Sequence, residues 1–295
     1  MNPQTKAHLG LIGTNLFFAI NYSAIKYFTG HHYAGPFGLN IIRIGVSVIL
    51  FWILFLFNRE KTTIHKKDIL AFILCAVTAI ALNQMLFIKG LSYTFPIHAS
   101  LLTLITPIMI TIIAARLLRE SLTIPKIIGL LLGILGAVLL IGARETSAPG
   151  DNILLGDILV ILSSMAYTFY FILVKPLMNK YSAILVTRWI FTFGFFMILP
   201  LCTKEFSNIS WEVFTIKDWA LLFLITIPGT FLAYIFNVYG IKILSASTAG
   251  AYIYSQPVFA VIVAMIFLKE HLSFYKILAA ILIFGGVYLS NRKTN

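Results

Sequence analysis

The sequence predicts an all-α integral membrane protein with ten transmembrane helices, arranged as two inverted five-helix repeats. Three observations carry that fold class. The chain is 60% hydrophobic and only 11% charged, where a soluble domain carries about 25% charged residues, so lipid must be its solvent. Its apolar residues fall into ten runs, each about 20 residues long, as a helix needs to cross a hydrocarbon core. A ladder of scarce residue types also recurs at a fixed separation of 150 positions, which marks an internal repeat.

The ladder runs through most of each half. Thr106-Pro107, Leu118-Arg119-Glu120, Leu122, Lys126 and Gly136 return as Gln256-Pro257, Leu268-Lys269-Glu270, Leu272, Lys276 and Gly286. Upstream, Lys67-Asp68 returns as Lys217-Asp218, Gly90 as Gly240 and Ala99 as Ala249. Shared hydrophobicity would match Leu and Ile, not Lys, Asp, Gly, Pro and Glu.

The expected spans are, in order, Leu9–Phe28, Phe37–Phe57, Ile69–Ile88, Ile97–Leu117, Ile124–Gly142, Leu154–Val174, Ala183–Leu201, Trp219–Val238, Ala246–Leu268 and Phe274–Ser290. The first is long enough to span and lacks a small-residue cleavage site, so it reads as a retained helix. The polar gap from Ala143 to Ile153 separates the fifth run from the sixth, giving one five-helix unit at 1–145 and another at 152–295. Pro107 and Pro257 sit mid-span, each removing a backbone donor, and Pro200 and Pro228-Gly229 are expected to break their runs. Gly129, Gly133 and Gly136 in the fifth span, with Gly285 and Gly286 in the tenth, let backbones approach closely, either within the monomer or across a homodimer face.

Charge sets the orientation. The formal net charge is +12, but Lys and Arg lie in short gaps between apolar runs. That pattern reflects topology control and attraction to anionic lipid rather than nucleic-acid binding. With the N-terminus in the cytoplasm, 13 Lys and Arg fall on the cytoplasmic side and 7 on the other, which places both termini in the cytoplasm and the protein in the cytoplasmic (inner) membrane. Five helices per unit then make the second copy enter from the opposite face, the inverted arrangement common among secondary transporters.

The absences are informative too. There is no phosphate-binding Gly-x-x-x-x-Gly-Lys-Ser/Thr loop, no His-Glu-x-x-His pair, and no Cys/His cluster with metal spacing. No cofactor, no metal and no catalytic residue is expected. No Asp or Glu sits at a span's centre, so an intramembrane carboxylate relay is not visible.

The chemistry that remains is amide, phenol and guanidinium. Arg43 lies about two turns into the second span and Arg188 about as far into the seventh. A charge inside lipid is unfavourable by on the order of 3 kcal/mol. The pair either clamps an anion bidentately in a polar cavity or snorkels and caps carbonyls; Lys26 and Lys89, nearer span ends, read as snorkelling. Asn15, Asn21, Asn83, Gln84, Asn237 and Gln256 lie within spans and need hydrogen-bond partners. Tyr22, Tyr167, Tyr170, Tyr234, Tyr252 and Tyr254 supply hydroxyls at depth. Asn83-Gln84 and Tyr234 fall at corresponding depths of the third and eighth spans, near the axis where inverted-repeat carriers bind cargo. The substrate-binding set expected from the residues is Tyr22, Arg43, Asn83, Gln84, Tyr167, Tyr170, Arg188, Tyr234, Asn237, Tyr252 and Gln256. His98, after Pro96, reads as a surface histidine or a group titrating near neutral pH.

Each unit ends in a Pro-containing helix, then Glu, Leu and Thr/Ser, then a last helix with glycines. The residues are Pro107, Glu120, Leu122, Thr123, Gly129, Gly133 and Gly136, and Pro257, Glu270, Leu272, Ser273 and Gly286. In this the chain resembles the drug/metabolite transporter superfamily, in its form with two EamA-type domains. The last helix departs from the pattern, with Ala279 and Ile283 in place of two glycines. Members export amino acids, amphipathic drugs or other metabolites, and some exchange nucleotide-sugars or phosphorylated sugars. The resemblance therefore implies a carrier, not an enzyme, whose partners are a small-molecule substrate and the bilayer. The residues and the resemblance together point to outward transport of amino acids or other small amphipathic metabolites by alternating access. An exchanger of anionic metabolites and a membrane-embedded lipid-modifying enzyme are the alternatives.

Overall fold

A computed structural model describes residues 2–31, 33–57, 64–94, 99, 102–142, 152–259, 262–263 and 274–291 of the chain. His98, Glu270 and the joint at 143–151 lie outside the described residues. The described residues are helical, with no strand among them. The first half holds α1 (Pro3–Gly30), α2 (Pro36–Phe57), α3 (Lys66–Tyr93), α4 (Ile105–Leu117) and α5 (Ile124–Gly142). The second holds α6 (Ile153–Lys180), α7 (Ala183–Ser207), α8 (Ile216–Ile243), α9, which starts as Ala246–Ala251 and passes through a 3-10 turn at Tyr252–Ser255, and α10 (Phe274–Asn291). Five helical stretches, α2, α3, 154–180 of α6, α7 and α8, are long and apolar enough to cross a bilayer.

Large apolar side chains point outward along these helices: Ile49, Leu70, Ile112, Leu131, Phe196 and Ile281 are all exposed. The amides and arginines of the spans point inward, and Asn15, Asn21, Arg43, Gln84, Arg188, Asn237 and Gln256 are buried. That inside-out distribution is stable only in lipid, where exposed Leu and Ile lose nothing and exposed amides would lose their partners.

Helix partners run across the halves: α5 lies on α10, α2 on α7, α1 on α8, and α3 on α6. Exchanging each helix with its counterpart in the other half returns the same set of pairs. The separation between equivalent residues is 150 in α3/α8 and α5/α10. It is 145 in the first two helices of each half, where Leu11 meets Gly240 as Gly156 meets Gly90, and Arg43 corresponds to Arg188.

The helices run past their apolar cores. α3 and α8 each extend several residues beyond the expected spans, because polar end residues can stay helical in the interface. Pro200 does not break its run: α7 continues through it to Ser207. The freed carbonyl is that of Phe196, one turn earlier, on an exposed face. Pro107 lies in the first turn of α4, where the missing N–H was unpaired anyway.

The glycines of α5 and α10 face each other. A methyl group on Gly286 would sit 2.5 Å from the carbonyl oxygen of Gly129 and 2.9 Å from the nitrogen of Gly133. The close-approach face is thus used inside the monomer. Gly285, next to it, has nothing within 4 Å of such a methyl. Gly286→Ala is therefore expected to destabilise the protein by about 1–3 kcal/mol, the range for overfilling a tight contact. Gly285→Ala should be neutral or slightly stabilising. Thermal unfolding of the two variants in one detergent checks the contrast.

Candidate functional site

The polar side chains of the spans converge on a cavity between the halves with a volume of about 100 Å³. α1 supplies Asn21 and Tyr22, α2 supplies Arg43, α3 supplies Asn83 and Gln84, and α6 supplies Ser163, Ser164 and Tyr167. Tyr234 of α8, Gln256 from the α9 region, and Thr103 and Thr106 at the start of α4 complete the polar wall.

Its floor is a contact between equivalent residues. Gln84 and Tyr234 stand 150 positions apart in sequence, and the Gln84 amide donates to the Tyr234 hydroxyl at 2.9 Å. The Gln84 carbonyl oxygen and the Ser164 hydroxyl are buried beside the cavity with no hydrogen-bond partner in the structure. Orphaned polar atoms at a cavity wall are where a ligand or ordered water is expected. On one flank Tyr22 meets Phe87 edge-to-face, with ring centroids 5.2 Å apart. On the other, Asn237 donates to the Tyr167 hydroxyl at 2.9 Å. These pairs are equivalent too, Tyr22 with Tyr167 and Phe87 with Asn237, so the same place carries a ring in one half and an amide in the other. Gln256 donates to Asn15 at 2.8 Å, and the Tyr22 hydroxyl lies 3.4 Å from the Gln256 oxygen.

Both α3 and α8 widen into π-helical turns beside the cavity, at Val77–Gln84 and Ile227–Leu232. A π turn leaves its backbone groups poorly paired and often marks a functional site. Side chains take up the slack. Asn21 donates to the Gly229 carbonyl at 2.7 Å, Thr14 to the Ala233 carbonyl at 3.0 Å, and Thr230 to the Ile225 carbonyl at 2.7 Å. Gly229 is required here, since a methyl group on it would overlap the Asn21 side chain.

The two arginines part ways. Arg43 lines the cavity, its Nε donating to the Thr230 hydroxyl at 3.0 Å, and no carboxylate is among the lining residues. Arg188 turns away to the α2/α7 interface. Its guanidinium carbon lies 3.9 Å from the Phe55 ring centroid and 4.9 Å from that of Trp52, a cation–π arrangement. Among the other expected residues, Tyr22, Asn83, Gln84, Tyr167, Tyr234 and Gln256 line the cavity. Asn237 stands behind Tyr167, Tyr170 is sealed in the apolar core, and Tyr252 faces away from the cavity toward His8. Ser163, Ser164, Thr103 and Thr106 were not singled out from the sequence, although Thr106 stands opposite Gln256 in the repeat.

Both ends of the cavity are closed by contacts to helix termini. At one end Glu120 accepts from the backbone nitrogens of Ala246 (2.8 Å) and Ser247 (3.3 Å), capping α9. Arg119 beside it adopts a left-handed backbone, φ 54°. Lys175 donates to the last carbonyls of α8, those of Ile241 and Leu244. At the other end Lys26 donates to the Leu91 carbonyl at 3.2 Å, and Leu91 is the counterpart of Ile241.

The EamA-like transporter family matches this sequence twice, over residues 5–142 and 154–292. The chain belongs to the EamA-like transporter family. Among its relatives, an uncharacterized transporter of Bacillus subtilis, YetK, is 28% identical over 83% of this chain and 74% of its own length. An uncharacterized transporter of Archaeoglobus fulgidus is 24% identical over 95% of this chain and 96% of its own. The WAT1-related protein At3g53210 of Arabidopsis thaliana is 22% identical over 89% of this chain and 81% of its own. A solved crystal structure shares the fold with a TM-score of 0.76 at 19% identity, covering 95% of this chain and 94% of that one. The cavity just described is thus a feature of a membrane transporter.

If the Gln84–Tyr234 bond ties the halves at the cavity floor, Gln84→Leu and Tyr234→Phe should be coupled. A double-mutant cycle on unfolding in detergent is expected to give about 0.5–1.5 kcal/mol, the range of interhelical hydrogen bonds in membrane proteins.

Proposed function

We propose that this EamA-family protein is a secondary-active carrier in the cytoplasmic membrane, moving amino acids or other small amphipathic metabolites outward by alternating access. In this reading the ten helices form two inverted five-helix repeats with both termini in the cytoplasm. Cargo binds in the central cavity. The observation that carries the reading is the convergence of equivalent polar residues, Gln84 on Tyr234, at a buried cavity beside the unpaired guanidinium face of Arg43.

Arg43 gives the substrate class. A guanidinium buried in an apolar surround and holding one neutral hydroxyl has donors to spare for a carboxylate. The Gln84 carbonyl oxygen and the tyrosine rings receive the polar and apolar remainder of a small molecule. A volume of about 100 Å³ is below the roughly 300–1,000 Å³ of open ligand pockets, which fits an occluded conformation between two open ones.

Flux tests the reading. In proteoliposomes loaded with labelled amino acids, wild-type protein is expected to show saturable counterflow. Arg43→Gln should raise the half-saturating concentration of carboxylate cargo by about tenfold or more. Arg188→Gln should leave it unchanged while lowering thermal stability. No saturable flux of any compound from folded protein sinks the carrier.

Topology is tested separately. Ser121 and His271 are equivalent positions, and the inverted arrangement puts them in opposite compartments. Both native cysteines are buried, so Ser121→Cys and His271→Cys can be labelled with a membrane-impermeant maleimide over a low background. Labelling from the same side rules out the inversion.

A further inference from the structure

A second cavity lies outside the central one. Its volume is about 400 Å³, and it sits where α1, α9 and α10 meet. The polar end holds His8, whose Nδ1 is 2.6 Å from the Tyr252 hydroxyl, and Ser255. Tyr252 and Ser255 are 6% and 1% exposed, so this polar end is sunk into the protein. The mouth is formed by Phe284 and Tyr288, 43% and 71% exposed on the outward face of α10. His8 lies two residues after Lys6, at the start of α1, which places the polar end near the water interface.

Two further observations make this more than a groove between helices. The first is the wall. The 3-10 turn Tyr252–Ser255 and the residue after it separate the two cavities: Tyr252 and Ser255 face the side pocket, while Ile253 and Gln256 face the central cavity. Pro257 follows and cannot donate to the Ile253 carbonyl, so the wall is a weakened stretch of helix.

The second is asymmetry. The counterparts of His8, Tyr252, Ser255 and Tyr288 are Ile153, Leu102, Ile105 and Val138, all aliphatic. Only Ile12 reverses the trend. Its counterpart is Asp157, which is engaged by the Thr94 hydroxyl. A duplicated scaffold has no structural need for a polar pocket in one copy alone.

We infer that the pocket bounded by His8, Tyr252, Ser255, Phe284 and Tyr288 is a second binding site. It takes an amphipathic small molecule with one hydrogen-bonding head, drawn from the leaflet on the N-terminal side. The head binds at the His8–Tyr252 pair, the apolar body lies on Phe284 and Tyr288, and cargo passes to the central cavity when the Tyr252–Ser255 turn rearranges. The passage step rests on the carrier reading; the binding site does not.

The test is photolabelling of the full chain in phospholipid nanodiscs with a diazirine-bearing decanol, with adducts mapped by mass spectrometry. Labelling at residues 8–12 and 284–288 is expected to saturate with concentration. His8→Ala should weaken the half-saturating concentration about tenfold, the effect of losing one buried hydrogen bond. Val287→Trp, which fills the pocket, should abolish saturable labelling, with thermal unfolding confirming that both variants fold. Labelling that rises linearly and equally at the lipid-facing residues Leu131 and Ile281 overturns the site, and needs no variant. Saturable labelling by a diazirine phospholipid that decanol does not displace also overturns it, since the occupant is then a structural lipid. Because the readout is binding, saturable labelling without flux leaves the site standing and removes only the carrier.

Discussion

Inside a bilayer a backbone N–H or C=O has no water to turn to, so every departure from the α-helix must be placed where a partner waits. The departures here are few and positioned. α3 and α8 widen at equivalent places, and α9 tightens into a 3-10 turn just before Pro257. Each adjoins the central cavity, and each is served by side chains such as Asn21, Thr14 and Thr230 that reach carbonyls across or along helices. The cavity and the irregular backbone are therefore one feature. The irregular turns need polar side chains, those side chains need partners away from lipid, and a small wet space between the halves satisfies both.

Symmetry shows which of these groups are scaffold and which are specific. The α5–α10, α2–α7, α1–α8 and α3–α6 contacts map onto one another, and so do the lysines that cap α3 and α8. A feature present in both copies is explained by the repeat. Arg43 and Arg188 occupy equivalent positions yet differ: one faces the cavity, the other is stacked on Phe55 and Trp52. Phe87 and Asn237 likewise present a ring and an amide to equivalent tyrosines. These departures are what turn a symmetric bundle into a cavity able to tell one end of a molecule from the other.

The sequence made the scaffold legible because Pro, Gly, Lys and Glu are scarce in lipid-facing helices and their recurrence is hard to hide. It pointed at Gln84 and Tyr234 for the same reason: two polar residues at matched depth need each other. It could not orient side chains around a helix, so Arg188 and Tyr170 looked equivalent to Arg43 and Tyr167 until the helices were placed. The turn at Ile227–Leu232 was announced by Pro228-Gly229. Its twin at Val77–Gln84 carries neither residue and was invisible, because the geometry is imposed there by the cavity and by α6 and α7 rather than by local chain chemistry. Pro200 misled in the opposite direction. A proline in lipid ends a helix only if its freed carbonyl and bent axis cannot be accommodated, and α7 accommodates both.

The terminal contacts set the scale on which such a protein can switch. At the Glu120 end a carboxylate holds two backbone nitrogens and the Ser247 hydroxyl, while Lys175 holds the carbonyl end of α8. A hydrogen bond to a charged group is worth about 1.5–3 kcal/mol, and part of it is regained from water once the end opens. Parting one end therefore costs a few kcal/mol, comparable to the gap between the two states of a protein whose minor conformer is still populated. The opposite end has the same kind of contact in Lys26 and the Leu91 carbonyl. A bundle closed at both ends by bonds of this size, around a cavity too small for its cargo, sits between two open states instead of deep inside either. For an alternating-access carrier that is the conformation through which every cycle must pass, and the similarity of the two closures lets cargo in the cavity, not the scaffold, decide how readily it is reached.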